Sequence, residues 1–237
     1  MFERFLVPVY LPGWISKNIV KAKRAFIPPA VNIRGERHIE WSFLSQEMPQ
    51  GPGEAIDFGC EEGYLSLLAA ERGYHVIAVD LQRQEPLWHH PNVEFRFEDF
   101  RSLEVPSNYF DLAINCSSVE HVGVAGRYGI ALDDDKGDLE VMEKLADVLK
   151  PEGRLIMTAP CGRDAVLAPW CRVYGPERLP KLLAPFHVEK QLYWMKDAIN
   201  RWLPVSGKDA LDSEPRHDAV NPHGCLYALV GLVLRKK

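Results

Sequence analysis

From Ala55 to Pro160 the chain alternates short apolar runs with longer stretches whose apolar residues recur every three or four positions. AIDF, HVIAVD, VEFRFED, FDLAINC and RLIMTAP read as strands, whereas YLSLLAAERG and DLEVMEKLADVLK read as helices. This alternation predicts a parallel sheet covered by helices on both faces. In the first helix Leu65, Leu68 and Ala69 share a face, and Gly73 stands where a left-handed C-terminal cap is wanted. In the second, Leu139, Met142, Leu145, Ala146 and Leu149 form one stripe, Asp138 is placed to cap the N-terminus, and Pro-Glu-Gly then turns the chain.

The flanks are less regular. Pro8, Pro12, Pro28 and Pro29 cut residues 1–50 into short pieces closed by QGPG, so this stretch reads as an N-terminal attachment and residues 51–237 as the main domain. After Pro160 come an irregular stretch through Trp170, a short helix near Pro176–Leu183 and a strand from His187 to Met195. The closing run CLYALVGLVLRK is apolar almost throughout, as a strand buried on both faces would be. Residues 197–223 are polar and rich in proline, and are expected to form a long inserted loop.

At 237 residues the chain can bury one substantial core, and 46% hydrophobic with 26% charged residues is ordinary globular composition. The net charge of -5 argues against a nucleic-acid partner held by phosphate neutralisation and favours a small-molecule or glycan substrate. The five cysteines form no CxxC pair, so neither zinc nor redox chemistry is indicated. Prolines and charges interrupt the opening apolar residues short of signal-peptide or membrane-span length, so no stable membrane insertion is expected and a cytoplasmic location is. The first fifty residues hold seven basic against four acidic side chains, and Trp14, Phe26, Ile33, Trp41 and Phe43 lie among them. Capping a substrate pocket or forming a homodimer contact is preferred for this segment over touching an anionic membrane surface.

The stretch Asp57-Phe58-Gly59-Cys60-Glu61-Glu62-Gly63 places an acid and two glycines between a strand and a helix. Gly59 permits a tight turn and close backbone approach, and Gly63 lets the helix begin hard against the sheet. Twenty-three residues after Asp57, Asp80 ends the second strand, where its carboxylate could accept hydrogen bonds from two ribose hydroxyls. Glu98-Asp99-Phe100 follows the third strand and could offer a carboxylate to an adenine amino group and a ring to its face.

These motifs resemble those of the class I S-adenosylmethionine-dependent methyltransferases: DFGCEEG, Asp80, Asp99, FDLAINCSSVEHV and LKPEGRLIMTAP. The resemblance implies a Rossmann-like α/β fold, a mostly parallel seven-stranded sheet with an antiparallel last strand, and S-adenosylmethionine as cofactor. It implies cofactor contacts from Asp57, Gly59, Cys60, Gly63, Asp80, Leu81, Asp99, Phe100 and Asn115. SSVEHVGVAGRYG, DDDKGDL and RVYGPERL further resemble a little-characterised subgroup associated with sugar or polysaccharide modification. Glu61 replaces the family's usual second glycine, and its charge and bulk oppose a dinucleotide pyrophosphate while tolerating a cofactor without phosphate. Asp57 would then orient the methionine ammonium, or else simply hold the glycine turn.

Methyl transfer to a hydroxyl asks for a positioned nucleophile and a base. His121 directly follows the fourth strand and is the candidate general base, with Glu120 as its orienting partner; capping the next turn is the bland alternative for this pair. Asp133, Asp134, Asp135 and Asp138 could bind a divalent metal, or form a solvated loop and helix cap. His89 and His90 are expected at the surface, and His217 and His223 in a loop that could close over the acceptor. The leading function is O-methylation of a sugar, glycan or related small molecule. Its rivals are methylation of nitrogen, sulfur or carboxylate, a nonenzymatic S-adenosylmethionine-binding scaffold, and an NAD-dependent oxidoreductase.

Overall fold

The computed structural model describes residues 36–84, 86–197, 201–218 and 225–237. Trp14, Phe26, Ile33, the basic run at 21–24 and His223 lie outside the described residues. In chain order the elements are α1 (Glu36–Glu47), β1 (Gly53–Phe58), α2 (Tyr64–Glu71), β2 (Tyr74–Asp80), β3 (Val93–Phe97) and β4 (Phe110–Cys116). A 3-10 turn (Val119–His121), α3 (Gly137–Val148), β5 (Leu149–Cys161), β6 (Ala165–Leu167), β7 (Cys171–Val173) and α4 (Leu179–Leu182) follow. The chain closes with β8 (Phe186–Lys196), β9 (Trp202–Val205), α5 (Gly207–Leu211), β10 (Arg216–His217), β11 (Cys225–Leu226) and β12 (Ala228–Lys236).

The main sheet runs β3-β2-β1-β4-β5-β12-β8-β9. Its first five strands are parallel, and β12 lies antiparallel between β5 and β8. The predicted antiparallel last strand is therefore present, but the sheet has eight strands where seven were expected. The eighth is β9, inside the stretch expected to be loop, and Trp202 is the reason it docks: the residue is 1% exposed. The same stretch also carries α5, whose Ala210 is fully buried and whose N-terminus is capped by Ser206 Oγ accepting from Asp209 N. Composition alone hid both elements.

Successive strand residues enter opposite cores, as a pleat requires. Ala55, Leu112, Ile114 and Ile156 join Phe43 and Leu44 of α1 and Leu65 and Ala69 of α2 on one face. Ile56, Ala113, Leu155 and Met157 meet Met142 and Leu145 of α3 on the other. Each of the Leu, Ile, Phe and Met side chains among them contributes about 1.5–3 kcal/mol on full burial, so the two faces fix register strongly. Residues 228–234 of β12 are buried throughout, which accounts for their unbroken apolar run. Gly73 does take the left-handed conformation after α2, at φ 96°.

One helix detail differs from expectation. Lys136, not Asp138, occupies the N-cap of α3. Asp138 is fully buried in the first turn and is gripped by Arg178, with Nη2 to Oδ1 at 2.6 Å and Nε to Oδ2 at 2.9 Å. A carboxylate without solvent needs a cation more than a frayed helix end needs a cap.

Candidate active site

The strand order reverses between β1 and β4, and a cavity of about 300 Å³ opens at the carboxyl ends of the strands beside that point. The glycine turn after β1 forms one wall. Gly59 N donates to Val79 O at 2.8 Å, and Glu61 N donates to Asp80 Oδ2 at 2.9 Å, so the turn is tied to the end of β2. Gln82 N binds the other oxygen of Asp80 at 2.8 Å, fixing the carboxylate on the cavity rim. Gly59 sits at φ 74°, and a Cβ there would overlap Ser118 Oγ and Cβ. Both conformation and space therefore require glycine.

Of the sequence-assigned residues, Gly59, Asp80, Leu81, Asp99, Phe100 and His121 line this cavity together. Leu81 keeps an exposed apolar side chain on the rim, while Phe100 is buried and packs on Phe58 with ring centroids 4.9 Å apart. Asp99 is held by Arg101, with Nη2 to Oδ2 at 2.7 Å, and this hydrogen bond keeps its carboxyl below the usual carboxylate range.

Asp57, Cys60, Gly63, Asn115 and Glu120 are not among the lining residues; they stand behind the wall. Asp57 is buried and accepts from Ser66 Oγ at 2.6 Å, and burial raises its pKa to about 7. Burial also pushes the Cys60 thiol upward. Asn115 Nδ2 donates to Phe58 O at 3.1 Å, tying β4 to β1, while its Oδ1 finds no partner among the described residues. Gly63 is left-handed at φ 77°, and an added Cβ would come within 2.7 Å of Phe95 and 2.9 Å of Trp88. Close packing is thus its visible role.

His121 contributes to the same lining as Asp80 and Asp99, from the 3-10 turn after β4. Its Nδ1 is 2.6 Å from Trp170 O. Because a carbonyl can only accept, Nδ1 carries the proton and Nε2 keeps a free lone pair. Burial lowers its pKa from the ordinary 6.5 to about 4, so the imidazole is neutral at physiological pH. Glu120 Oε1 is 3.9 Å from His121 Nε2, while Oε2 has no hydrogen-bond partner among the described residues. Burial holds the Glu120 carboxyl well above its ordinary range.

Three features of this region carried no recognisable sequence signal. Glu40 of α1 is buried, accepting from Ser117 Oγ and from Thr158 Oγ1 at 2.9 Å. Arg37, one turn earlier, reaches Cys116 O at 3.3 Å and Glu61 Oε1 at 2.9 Å, joining α1 to β4 and the glycine turn. Burial disfavours its charge, but Cys116, Glu40 and Glu61 around it hold the guanidinium above its usual range. Finally, Arg172 of β7 is buried and donates to the carbonyls of Val122, Gly123 and Asp134, clamping the base of the loop that follows His121.

Of the four acidic residues expected as a metal alternative, three have carboxylates that are otherwise engaged. Asp133 accepts from Ala125 N, Asp134 pairs with Arg101, and Asp138 pairs with Arg178. Among the described residues they form no group arranged to hold a metal ion. His89 is exposed, and His90 is half-buried with Nδ1 accepting from Asn92 N. His217 is exposed on β10, 3.9 Å from Cys225 Sγ.

Residues 90–194 match a family model described as "Caenorhabditis protein of unknown function, DUF268". No curated protein sequence matches the chain. Among solved structures, the 1,6-didemethyltoxoflavin-N1-methyltransferase of Burkholderia thailandensis, with bound S-adenosylhomocysteine, superposes with a TM-score of 0.53 at 17% identity over 94% of this chain and 87% of that one. The N-methyltransferase NodS of Bradyrhizobium japonicum, also with S-adenosylhomocysteine, gives 0.55 at 13% identity over 92% and 97%. The fold is that of the class I S-adenosylmethionine-dependent methyltransferases. An S-adenosylmethionine-dependent methyltransferase of Mesorhizobium loti gives 0.51 at 17% identity over 83% and 97%. At such identities the likeness establishes the methyltransferase fold and leaves chemistry to the site. No helix among the described residues is long and apolar enough to cross a membrane.

Proposed function

We propose that this chain is an S-adenosylmethionine-dependent methyltransferase acting on a hydroxyl of a sugar, glycan or related small molecule. The observation that carries the reading is a single cavity with Asp80, Leu81, Asp99 and Phe100 on its lining together with His121. Its size suits a small-molecule site.

The residues fit the cofactor. Asp80, already oriented by two backbone amides, offers acceptor lone pairs to ribose hydroxyls. Leu81 and Phe100 give the apolar surface an adenine ring needs, and Asp99 is an acceptor for its amino group. Asp57, Cys60, Gly63 and Asn115 support this wall from behind, with Asp57 reaching the methionine ammonium through water. Glu61 on the lining opposes a pyrophosphate, which favours this cofactor over NAD. Bound S-adenosylmethionine supplies an electrophilic methyl group.

His121, a lining residue that is neutral with its proton on Nδ1, takes at Nε2 the proton of the acceptor hydroxyl as the oxygen attacks. Trp170 O fixes the tautomer, and Glu120 orients the ring. In this reading residues 1–50 serve as a cap or a dimer contact, and α1 within them is anchored through Glu40 and Arg37.

Calorimetric titration with S-adenosylhomocysteine and with NAD tests this function. Binding of the former, no binding of the latter, and at least tenfold weaker binding by Asp80→Ala are expected. NAD binding in preference, or no binding of S-adenosylhomocysteine, would overturn it.

A further inference from the structure

Two guanidinium side chains lie on the cavity wall. Arg101 is committed to Asp99 and Asp134. Arg127 has no carboxylate partner among the described residues; it lies instead over two rings, 4.5 Å from the Tyr128 centroid and 5.3 Å from that of Trp170. A half-buried cation supported by aromatic rings spends no N–H donor on a carboxylate and can offer its planar fork to an oxyanion.

The support beneath Arg127 is built rather than incidental. Gly126 N donates to Ile130 O at 2.9 Å and Ile130 N returns to Arg127 O at 3.0 Å, closing a tight loop. Tyr128 is held at φ 55°, in the left-handed region that ordinary residues avoid, and its ring also meets His121 edge-on at 5.3 Å. The buried Arg172 grips both ends of the loop through Val122, Gly123 and Asp134 carbonyls. Arg127 thereby shares one cavity lining with His121, near enough for its charge to act on the imidazole.

We infer that Arg127 selects an acceptor carrying an oxyanion, a carboxylate or a phosphate, and sets it against His121. This rests on the methyltransferase reading for what happens next, but the anion site itself does not need it. A neutral polyol would leave the Arg127 donors without a charged partner, whereas a sugar acid or sugar phosphate satisfies them with a charge-assisted pair.

The test uses the full chain saturated with S-adenosylhomocysteine and titrated, by calorimetry, with glucuronate, glucose 6-phosphate and glucose. At least one of the acids is expected to bind tenfold or more tightly than glucose, and which one does so identifies carboxylate or phosphate as the anion. Arg127→Gln should remove that preference while S-adenosylhomocysteine binding stays within threefold. Arg127→Lys, which keeps the charge but loses the planar fork, should fall between. Acid and neutral probes within threefold of each other, absence of binding included, would overturn the inference, as would undiminished acid binding by Arg127→Gln. Failure of S-adenosylhomocysteine to bind counts against the methyltransferase reading alone, because the same three titrations on the unloaded protein still decide the anion site.

Discussion

Gly59→Ala probes the glycine turn more sharply than any change to a polar residue. The new methyl group meets two penalties. A left-handed alanine costs about 1–2 kcal/mol. Overlap of Cβ with Ser118 Oγ and Cβ forces a backbone or side-chain shift, for which overpacking of a close-packed site costs about 1–3 kcal/mol. The sum is about 2–5 kcal/mol, and the two parts are separable. Ser118→Gly removes the obstructing atoms at the loss of one hydrogen bond, since its single hydroxyl proton is shared between Gly59 O at 3.3 Å and Cys116 O at 3.1 Å; that change alone costs about 1 kcal/mol. In Gly59→Ala/Ser118→Gly the overlap is gone, and the conformational cost remains together with that of Ser118→Gly itself. Urea unfolding of the four proteins should therefore show a favourable coupling of about 1–3 kcal/mol between the two positions. S-adenosylhomocysteine affinity, measured by calorimetry, should fall in Gly59→Ala and partly recover in the double variant. Strict additivity, or a Gly59→Ala protein within about 0.5 kcal/mol of the parent, would refute the reasoning.

Further expectations concern titration and burial. His121→Asn should lower methyl transfer by about 10²–10⁴-fold and leave S-adenosylhomocysteine binding within a few fold; near-normal turnover would remove His121 from the mechanism. By nitrogen NMR, the His121 ring should remain the neutral Nδ1–H tautomer as pH falls to about 5, because its pKa lies at about 4; protonation near pH 6.5 would contradict the burial argument. Asp57 has the opposite linkage. Its folded pKa of about 7 lies above the ordinary 3.8, so the folded state retains a proton the unfolded chain has lost, and stability falls as pH rises from 4 to 7 by up to about 4 kcal/mol. Asp57→Asn should flatten that decline relative to the parent in urea melts at pH 4.5 and 7.5, and parallel profiles would reject it. Asp138→Ala leaves Arg178 facing an emptied buried site, so a loss of about 3–5 kcal/mol is expected by denaturation, and a loss under 1 kcal/mol would mean the pair contributes little.

The parallel half of the fold was legible because its strands and helices obey two clean periods, and because Gly59, Asp80 and Asp99 fall at successive strand ends. Those three, with Leu81, Phe100 and His121, do share one cavity. What escaped was whatever depends on long-range burial. Glu40 looks like an ordinary solvent-facing glutamate, and the Arg37 guanidinium with the Ser117 and Thr158 hydroxyls makes its inward position tolerable. Asp138 follows the capping rule locally, yet Arg178, forty residues away, claims it. The His121 pKa depends on surroundings no local window contains, and Trp202 drew β9 onto the sheet edge from a stretch whose composition reads as loop.

The central claim is that Asp80, Asp99 and His121 serve one adenosyl ligand and its acceptor within a single cavity. A crystal structure grown with saturating S-adenosylhomocysteine tests this most directly. The account predicts ribose hydroxyls on Asp80, the adenine against Leu81 and Phe100 with its amino group at Asp99, and the sulfur turned toward His121. A ligand bound elsewhere on the molecule, or that cavity left empty, would contradict it.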